Sequence, residues 1–175
     1  MPQKAKYSKR TVYIHWSSAL LIFALIVTGI NMENTAHSPE KFTSYKLHFI
    51  MGIVVFLLTV IRIVALIRDV RPPSLYKKRS IHNKFIQFIH YGFYIVIAWM
   101  CISGILSLFL EGIYPALLSG NFVDLPEINK DGFHPIMLSH HIMAKLVFLL
   151  LIFHVAGILV HLVRKKENTL KRIWF

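Results

Sequence analysis

Ten histidines and one cysteine, Cys101, hold most of the metal-binding chemistry of this 175-residue chain. A single cysteine excludes a disulfide framework, a Cys-ligated zinc or iron–sulfur site and the Cys-x-x-Cys-His attachment of a c-type haem. Six histidines lie inside long apolar runs, where an ionisable side chain is costly and is a candidate site residue by default. They are His15, His48, His90, His140, His154 and His161.

The spacing of four of these histidines predicts two pairs. His140 and His154 are fourteen residues apart, which in an α-helix is a rise of about 21 Å and a rotation about 40° short of four full turns. Both therefore face one side of a helix at opposite depths. In a four-span topology His48 shares the outer depth with His140, and His15 shares the inner depth with His154. Paired imidazoles without carboxylate or thiolate ligands favour haem iron over zinc.

Two other histidines remain open as contacts of these sites. His141 lies about 100° round the helix from His140 and is its rival as the outer ligand, although the residue at its own fourteen-residue spacing is Val155. His161 lies seven residues past His154. It could contact an inner haem propionate or a quinone, or extend to the membrane interface.

Arg62 is a further candidate, since it lies fourteen residues after His48 and near the inner end of its run. Its guanidinium could pair with a propionate of the inner haem or extend to the interface. For every single histidine in a span, a polar contact between helices is the alternative to a ligand role.

Membrane helices are the elements that must position these residues. Hydrophobic residues make up 55% of the chain and the mean hydropathy is +0.56, against about 45–50% hydrophobic residues in an ordinary soluble domain. Four apolar runs, at about 12–31, 46–67, 84–110 and 136–163, reach the roughly 20 residues that span a bilayer. Because backbone groups in lipid must be satisfied internally, we predict an all-α integral membrane four-helix bundle, one domain over residues 1–175. The two histidine pairs would hold two haems between its helices. The first run is expected to be an uncleaved span.

The uneven charge predicts an orientation. Lys and Arg outnumber Asp and Glu by 20 to 8 and lie between the apolar runs, which does not suit a nucleic-acid-binding face. The positive-inside rule predicts cytoplasmic termini and a cytoplasmic second loop, from Lys4, Lys6, Lys9, Arg10, Arg68, Arg71, Lys77, Lys78, Arg79, Lys84, Arg164, Lys165, Lys166, Lys171 and Arg172. The outer side receives Glu33, Glu40, Glu111, Asp124, Glu127 and Asp131, and the loops also hold His37, His82 and His134.

Several segments in order carry a family resemblance. They are Tyr7-Ser8 with Ile14-His15-Trp16, His48 with Gly52 and Arg62, His90 with Tyr94 and Ser103-Gly104, the spacing of His140, His154 and His161, and Asn168 to Arg172. Together they resemble the bacterial cytochrome b-561 family of small di-haem membrane proteins over nearly the whole chain. The resemblance implies two b haems with axial ligands His15, His48, His140 and His154. His141 departs from the family pattern, which commonly has an acidic residue there.

The resemblance also implies a function, which is a quinone-linked oxidoreductase of the bacterial inner membrane. For small stand-alone members it implies oxidation of superoxide with electrons passed to ubiquinone. Lys41, Lys46 and Lys145 could supply positive potential near the outer site, and the outer carboxylates oppose it. Two alternatives remain: an electron-transfer membrane subunit of a multi-protein dehydrogenase or hydrogenase, and a His-rich metal transporter without haem.

Overall fold

The computed structural model describes residues 6–68, 80–128, 132, 134–164 and 169–174. Within these ranges the backbone is helical and contains no β-strand. The α-helices are α1 (Lys9–Asn34), α2 (Pro39–Arg68), α3 (Ile81–Leu110), α4 (Tyr114–Ser119) and α5 (Pro135–Arg164), and short 3₁₀ turns cover Phe122–Asp124 and Thr169–Arg172. The all-α prediction is confirmed.

Four of these helices are long and apolar enough to cross a membrane, over Lys9–Asn34, Pro39–Arg68, Ile81–Leu110 and Pro135–Val163. Their outward side chains are apolar as well, and Leu20 and Ile67 are 70% and 78% exposed. An exposed apolar surface of this extent is stable in lipid, where it costs nothing to leave it unburied. The prediction of a membrane four-helix bundle is therefore confirmed.

The helices begin at polar residues that suit a helix start. The hydroxyls of Ser8 and Ser80 accept hydrogen bonds from the backbone N–H groups of Thr11 and Asn83, at 3.2 and 3.1 Å, which is the role of an N-cap. The α2 helix begins at Pro39, well before the apolar run at about residue 46. Proline suits the first helical position because its missing N–H would have no partner there.

The interior of the bundle is divided into two hydrophobic clusters. The α1 helix packs on α2, α2 on α3, and α3 on α5. Ile89, Val96, Val147 and Leu150 form the cluster between α3 and α5. A second cluster joins Phe42, Leu108, Ile113, Ala116 and Leu125, so that α4 covers one end of the bundle. Gly112 and Gly120, at φ +69° and +72°, make the left-handed turns that frame α4.

Both terminal segments lie at the other end of the bundle. The indole Nε1 of Trp16 donates a hydrogen bond to the Ile173 carbonyl at 2.8 Å, and the backbone N–H of Tyr7 donates to the Arg172 carbonyl at 3.1 Å. The Trp16 ring also meets the Trp174 ring edge to face at 5.7 Å. These contacts attach the C-terminal segment to the start of α1.

Part of the predicted charge pattern falls outside the described ranges. The charged residues concerned are Lys4, Arg71, Lys77, Lys78, Arg79, Asp131, Lys165 and Lys166. Asn168, which belongs to the family resemblance, also lies outside the described ranges. The orientation of the chain in the membrane stays a prediction.

Candidate functional site

At the end of the bundle that α4 covers, the structure brings His48 of α2 and His140 of α5 together. Their ring centroids are 6.4 Å apart, with an interplanar angle of 65°. Phe49 and Met137, which lie close to them in sequence, pack against the cluster beneath α4. The depth argument predicted this pair.

At the end that holds the termini, His15 of α1 faces His154 of α5. Their ring centroids are also 6.4 Å apart, with an interplanar angle of 51°. Because His140 and His154 are both on α5, a single helix contributes to both pairs and sets their separation at about 21 Å along its axis. We refer to these sites as the His48–His140 pair and the His15–His154 pair.

The distance within each pair fits one metal ion held by two imidazoles. With about 1.1 Å from ring centre to nitrogen and about 2.0–2.1 Å from nitrogen to metal, two imidazoles on opposite sides of an ion have centres roughly 6.3 Å apart. Both pairs lie at 6.4 Å, as two axial ligands of one haem iron require. Across the described ranges, no group of three or more His, Cys, Asp or Glu side chains could hold a metal ion. Two-ligand axial binding therefore suits these residues better than a tetrahedral zinc site.

In the His48–His140 pair, the Nδ1 atom of each imidazole makes a hydrogen bond with a hydroxyl group. The Nδ1 atom of His48 lies 2.9 Å from Thr28 Oγ1, and that of His140 lies 3.0 Å from Ser103 Oγ. The Nε2 atom of each ring is thus the nitrogen left for a metal. Sequence reasoning gave neither hydroxyl a role.

The His15–His154 pair has a cationic neighbour instead. Arg62 Nη2 lies 3.1 Å from Nδ1 of His15, and Arg62 Nε donates a hydrogen bond to Tyr94 Oη at 3.1 Å. A guanidinium has only donors, so Nδ1 of His15 is the acceptor. His15 can ligate through Nε2 once the guanidinium leaves Nδ1 and the ring proton moves from Nε2 to Nδ1. A propionate carboxylate is the partner that a guanidinium favours.

His90 is a third imidazole at this end, and sequence reasoning gave it no partner. Its ring centroid lies 5.2 Å from that of His154, and its Nδ1 donates to the Ile86 carbonyl at 2.7 Å. Phe93 lies against the same His154 ring at 5.7 Å. His154 is thus enclosed by α3 on one side and faces α1 on the other.

The remaining predicted histidines are placed as follows. His161 is buried, 7% exposed, and its Nε2 lies 3.2 Å from Nε2 of His82. His82 was expected in a loop but lies in the first turn of α3, because Ser80 caps that helix. His141 is half-buried beside His140, and His140 is the ring placed 6.4 Å from His48.

The three lysines predicted to attract an anion are in different surroundings. Lys41 lines a cavity of about 250 Å³ together with His37, Tyr45 and Glu127, and its Nζ donates to the Thr35 carbonyl at 3.0 Å. Lys46 lies over the Phe42 ring at 4.6 Å. Lys145 lies on α5 with its side chain exposed at the surface of the bundle. The cavity is at the end of the His48–His140 pair, and it holds a carboxylate beside its cation.

Comparison with known proteins agrees with this architecture. The sequence model of the prokaryotic cytochrome b561 family matches residues 6–175, so the chain belongs to that family and the predicted resemblance is confirmed. It is a multi-pass bacterial membrane protein of the b-type cytochrome class, and membership implies b-type haem and electron transfer. Among its relatives is a Yersinia pestis protein described as probable superoxide oxidase CybB. The two are 24% identical over 170 residues, which cover 96% of this chain and 95% of the relative.

Proposed function

We propose that this chain is a di-haem cytochrome b that carries electrons across the bacterial inner membrane. The His48–His140 and His15–His154 pairs would hold the two irons, each through Nε2 atoms. The observation that carries the proposal is the equal separation of 6.4 Å in two imidazole pairs at the two ends of α5. When bound, b haem supplies reversible one-electron chemistry at its iron.

The protein's own residues supply the framework for that chemistry. Helices α1, α2 and α5 contribute the four imidazoles, and α5 fixes the distance between the two sites. Arg62 would hold a propionate at the His15–His154 pair, since a carboxylate accepts two parallel hydrogen bonds from a guanidinium. The apolar cluster of Val96, Val147 and Leu150 between α3 and α5 keeps water out of the space between the sites.

The charge distribution supports cytoplasmic termini. By topology, Lys9, Arg10, Arg68 and Lys84 lie at the end of the bundle that holds the His15–His154 pair. The acidic residues Glu33, Glu40, Glu111, Asp124 and Glu127 lie at the opposite end. Because basic residues stay on the cytoplasmic side, the His15–His154 pair is the inner site and the His48–His140 pair is the outer site.

The reaction we propose is oxidation of superoxide outside and reduction of ubiquinone within the membrane. Each superoxide gives up one electron and leaves as dioxygen. Ubiquinone takes up two electrons and two protons and becomes ubiquinol, so two superoxides are consumed for each quinone. The name of the Yersinia pestis relative supports this choice, and Lys41 in the outer cavity supplies a positive charge for a small anion, beside the carboxylate of Glu127.

His161 is proposed as the contact for the quinone. It is buried at the inner end, where its Nε2 lies 3.2 Å from Nε2 of His82, so a bound quinone would replace one of these two rings as a hydrogen-bond partner. A quinone carbonyl accepts such a hydrogen bond. Arg62 and His90 also lie at this end, in contact with His15 and His154 of the inner imidazole pair.

The test is a superoxide pulse delivered to the purified protein in liposomes with and without ubiquinone. Superoxide loss faster than its spontaneous dismutation, with ubiquinol formed at one molecule per two superoxides, is the expected result. Haem-loaded protein that consumes no superoxide would contradict the reaction and favour a subunit that serves a dehydrogenase partner. Protein without haem would contradict the whole proposal and favour the alternative of a His-rich metal transporter.

A further inference from the structure

A hydroxyl-bearing residue and the glycine that follows it in the chain lie against each imidazole of the His48–His140 pair. On α1, Thr28 contacts Nδ1 of His48 at 2.9 Å, and a Cβ atom at Gly29 would lie 3.5 Å from Cε1 of the same ring. On α3, Ser103 contacts Nδ1 of His140 at 3.0 Å. A Cβ atom at Gly104 would lie only 3.2 Å from its Cε1. The same two-residue arrangement therefore seats both rings.

The direction of the hydrogen bond at His48 follows from the other bonds of Thr28. Its Oγ1 lies 3.0 Å from the Ala24 carbonyl and 3.1 Å from the Leu25 carbonyl. A hydroxyl has one proton and a carbonyl oxygen can only accept, so Thr28 donates that proton to the backbone. Toward His48 it can then only accept, and Nδ1 of His48 is the donor.

Ser103 makes the same pattern on another helix. Its Oγ lies 2.8 Å from the Trp99 carbonyl and 3.2 Å from the Met100 carbonyl, so its proton is also given to the backbone. Ser103 is 0% exposed, and no water competes for this bond. Nδ1 of His140 is therefore the donor, and its Nε2 keeps the lone pair that a metal needs.

We infer that Thr28 and Ser103 are positioning residues of the His48–His140 pair, which set the tautomer of both rings and aim both Nε2 lone pairs into the space between them. An N–H donor bond from the second ring nitrogen also strengthens a histidine as a ligand. This inference rests on the proposed function, because it takes His48 and His140 as ligands of one haem iron.

The other pair is arranged differently, and this makes the inference selective. Nδ1 of His15 meets the Arg62 guanidinium, which donates, where Nδ1 of His48 and His140 meets an acceptor. Loss of either hydroxyl should therefore alter the potential of the haem at the His48–His140 pair and leave that of the haem at the His15–His154 pair unchanged.

The variants that test the inference are Thr28→Val, which keeps the shape of the side chain, and Ser103→Ala. Thr28→Ser and Ser103→Thr restore a hydroxyl and should rescue. A matched control is Thr59→Val, because Thr59 is buried and its hydroxyl donates to the Val55 carbonyl at 2.7 Å without a histidine partner. Ser107→Ala is the second control, since the buried Ser107 hydroxyl makes no hydrogen bond within the described part of the chain.

The readout is a redox titration of full-length purified protein, followed at the haem absorption bands, with haem per chain measured in parallel. Without the hydroxyl, only a backbone carbonyl, that of Leu25 for His48 or Met100 for His140, is left to accept from the ring. The weaker hydrogen bond weakens the ligand and disfavours ferric iron, so the potential of one haem should rise. A tenfold change in the ferric-to-ferrous balance corresponds to about 59 mV for one electron. The other haem, both rescue variants and both controls should keep the wild-type potential.

Three results would overturn the inference. They are wild-type potentials in both hydroxyl variants at full haem content, equal shifts of both haems, and equal shifts in the Thr59 and Ser107 controls. If a hydroxyl variant loses haem, selective loss of one haem supports the inference and loss of both contradicts it. Failure of the proposed function is separate, because wild-type protein would then bind no haem.

Discussion

Replacing Gly104 by alanine tests the geometry of the His48–His140 pair most sharply. The new Cβ atom would lie 3.2 Å from Cε1 and 3.6 Å from Nδ1 of His140. Carbon atoms prefer about 3.5–4.0 Å, so the ring has to move by a few tenths of an ångström. Ser103, the preceding residue, holds the same ring through a 3.0 Å hydrogen bond, and a shift away from α3 lengthens that bond.

The expected loss can be estimated from the cost of overpacking a filled interior, which is about 1–3 kcal/mol. Applied to one site, this lowers the haem affinity by roughly 5- to 150-fold. The α3 helix itself does not weaken, because alanine in a helix interior is favoured over glycine by about 1 kcal/mol. Gly104→Ala should therefore lose haem from one site without a lower thermal unfolding temperature of the haem-free protein.

The assay is a titration of the haem-free protein with haemin, together with circular dichroism during heating. Gly92→Ala is the matched control on the same helix, because its Cβ would meet the Leu150 methyl groups at an ordinary 3.5 Å. Wild-type affinity at both sites of Gly104→Ala would refute the placement of His140 against α3. An equal loss in Gly92→Ala would show that the effect belongs to α3 packing in general.

Three further predictions concern the assignment of ligands and the end of the bundle that holds the His15–His154 pair. His48→Ala should lose one haem per chain and His15→Ala the other, as measured by pyridine haemochrome with redox titration; loss of both haems in either variant would contradict the pairing. Arg62→Lys keeps the charge but replaces the two guanidinium nitrogens that contact Tyr94 and His15 by a single ammonium. Redox titration should therefore show a shift confined to the His15–His154 haem, and a shift in the other haem would count against this contact. His161→Phe should slow ubiquinone reduction several-fold at unchanged haem content in stopped-flow absorbance, whereas an unchanged rate would remove His161 from the quinone site.

The membrane bundle and the two imidazole pairs could be predicted from the sequence because each depends on a one-dimensional regularity. Apolar runs of about 20 residues predict membrane helices, and the fourteen residues between His140 and His154 give a common face. Alternating spans then assign His15 and His48 to opposite ends. The structure brings these rings to 6.4 Å, and their role as ligands stays a prediction.

The hydroxyls next to the rings could not be recognised in the same way. Serine and threonine within helices commonly bond to a carbonyl one turn earlier, so Thr28 and Ser103 look like ordinary helix residues. Only the rotation of α1 and α3 about their axes turns them toward His48 and His140, and rotation depends on side-chain packing across helices. The repeated hydroxyl–glycine dipeptide was the available signal.

Contacts at the end that holds the His15–His154 pair depend on the same rotation. His90 meets His154 because α3 packs on α5, which the order of spans does not specify. His82 meets His161 because α3 begins at Ile81, ahead of its apolar run. Ser80 signals that start, since serine is a preferred N-cap. The predicted span nevertheless began at about residue 84, with the apolar run.

The number of b haems per chain tests the central claim most directly. Pyridine haemochrome analysis of the purified protein, with the chain quantified by amino-acid analysis, gives that number without assuming any substrate. The account predicts two haems b per chain, with two one-electron steps in a redox titration. A value of one or none would contradict it, because one of the two imidazole pairs would then hold no iron.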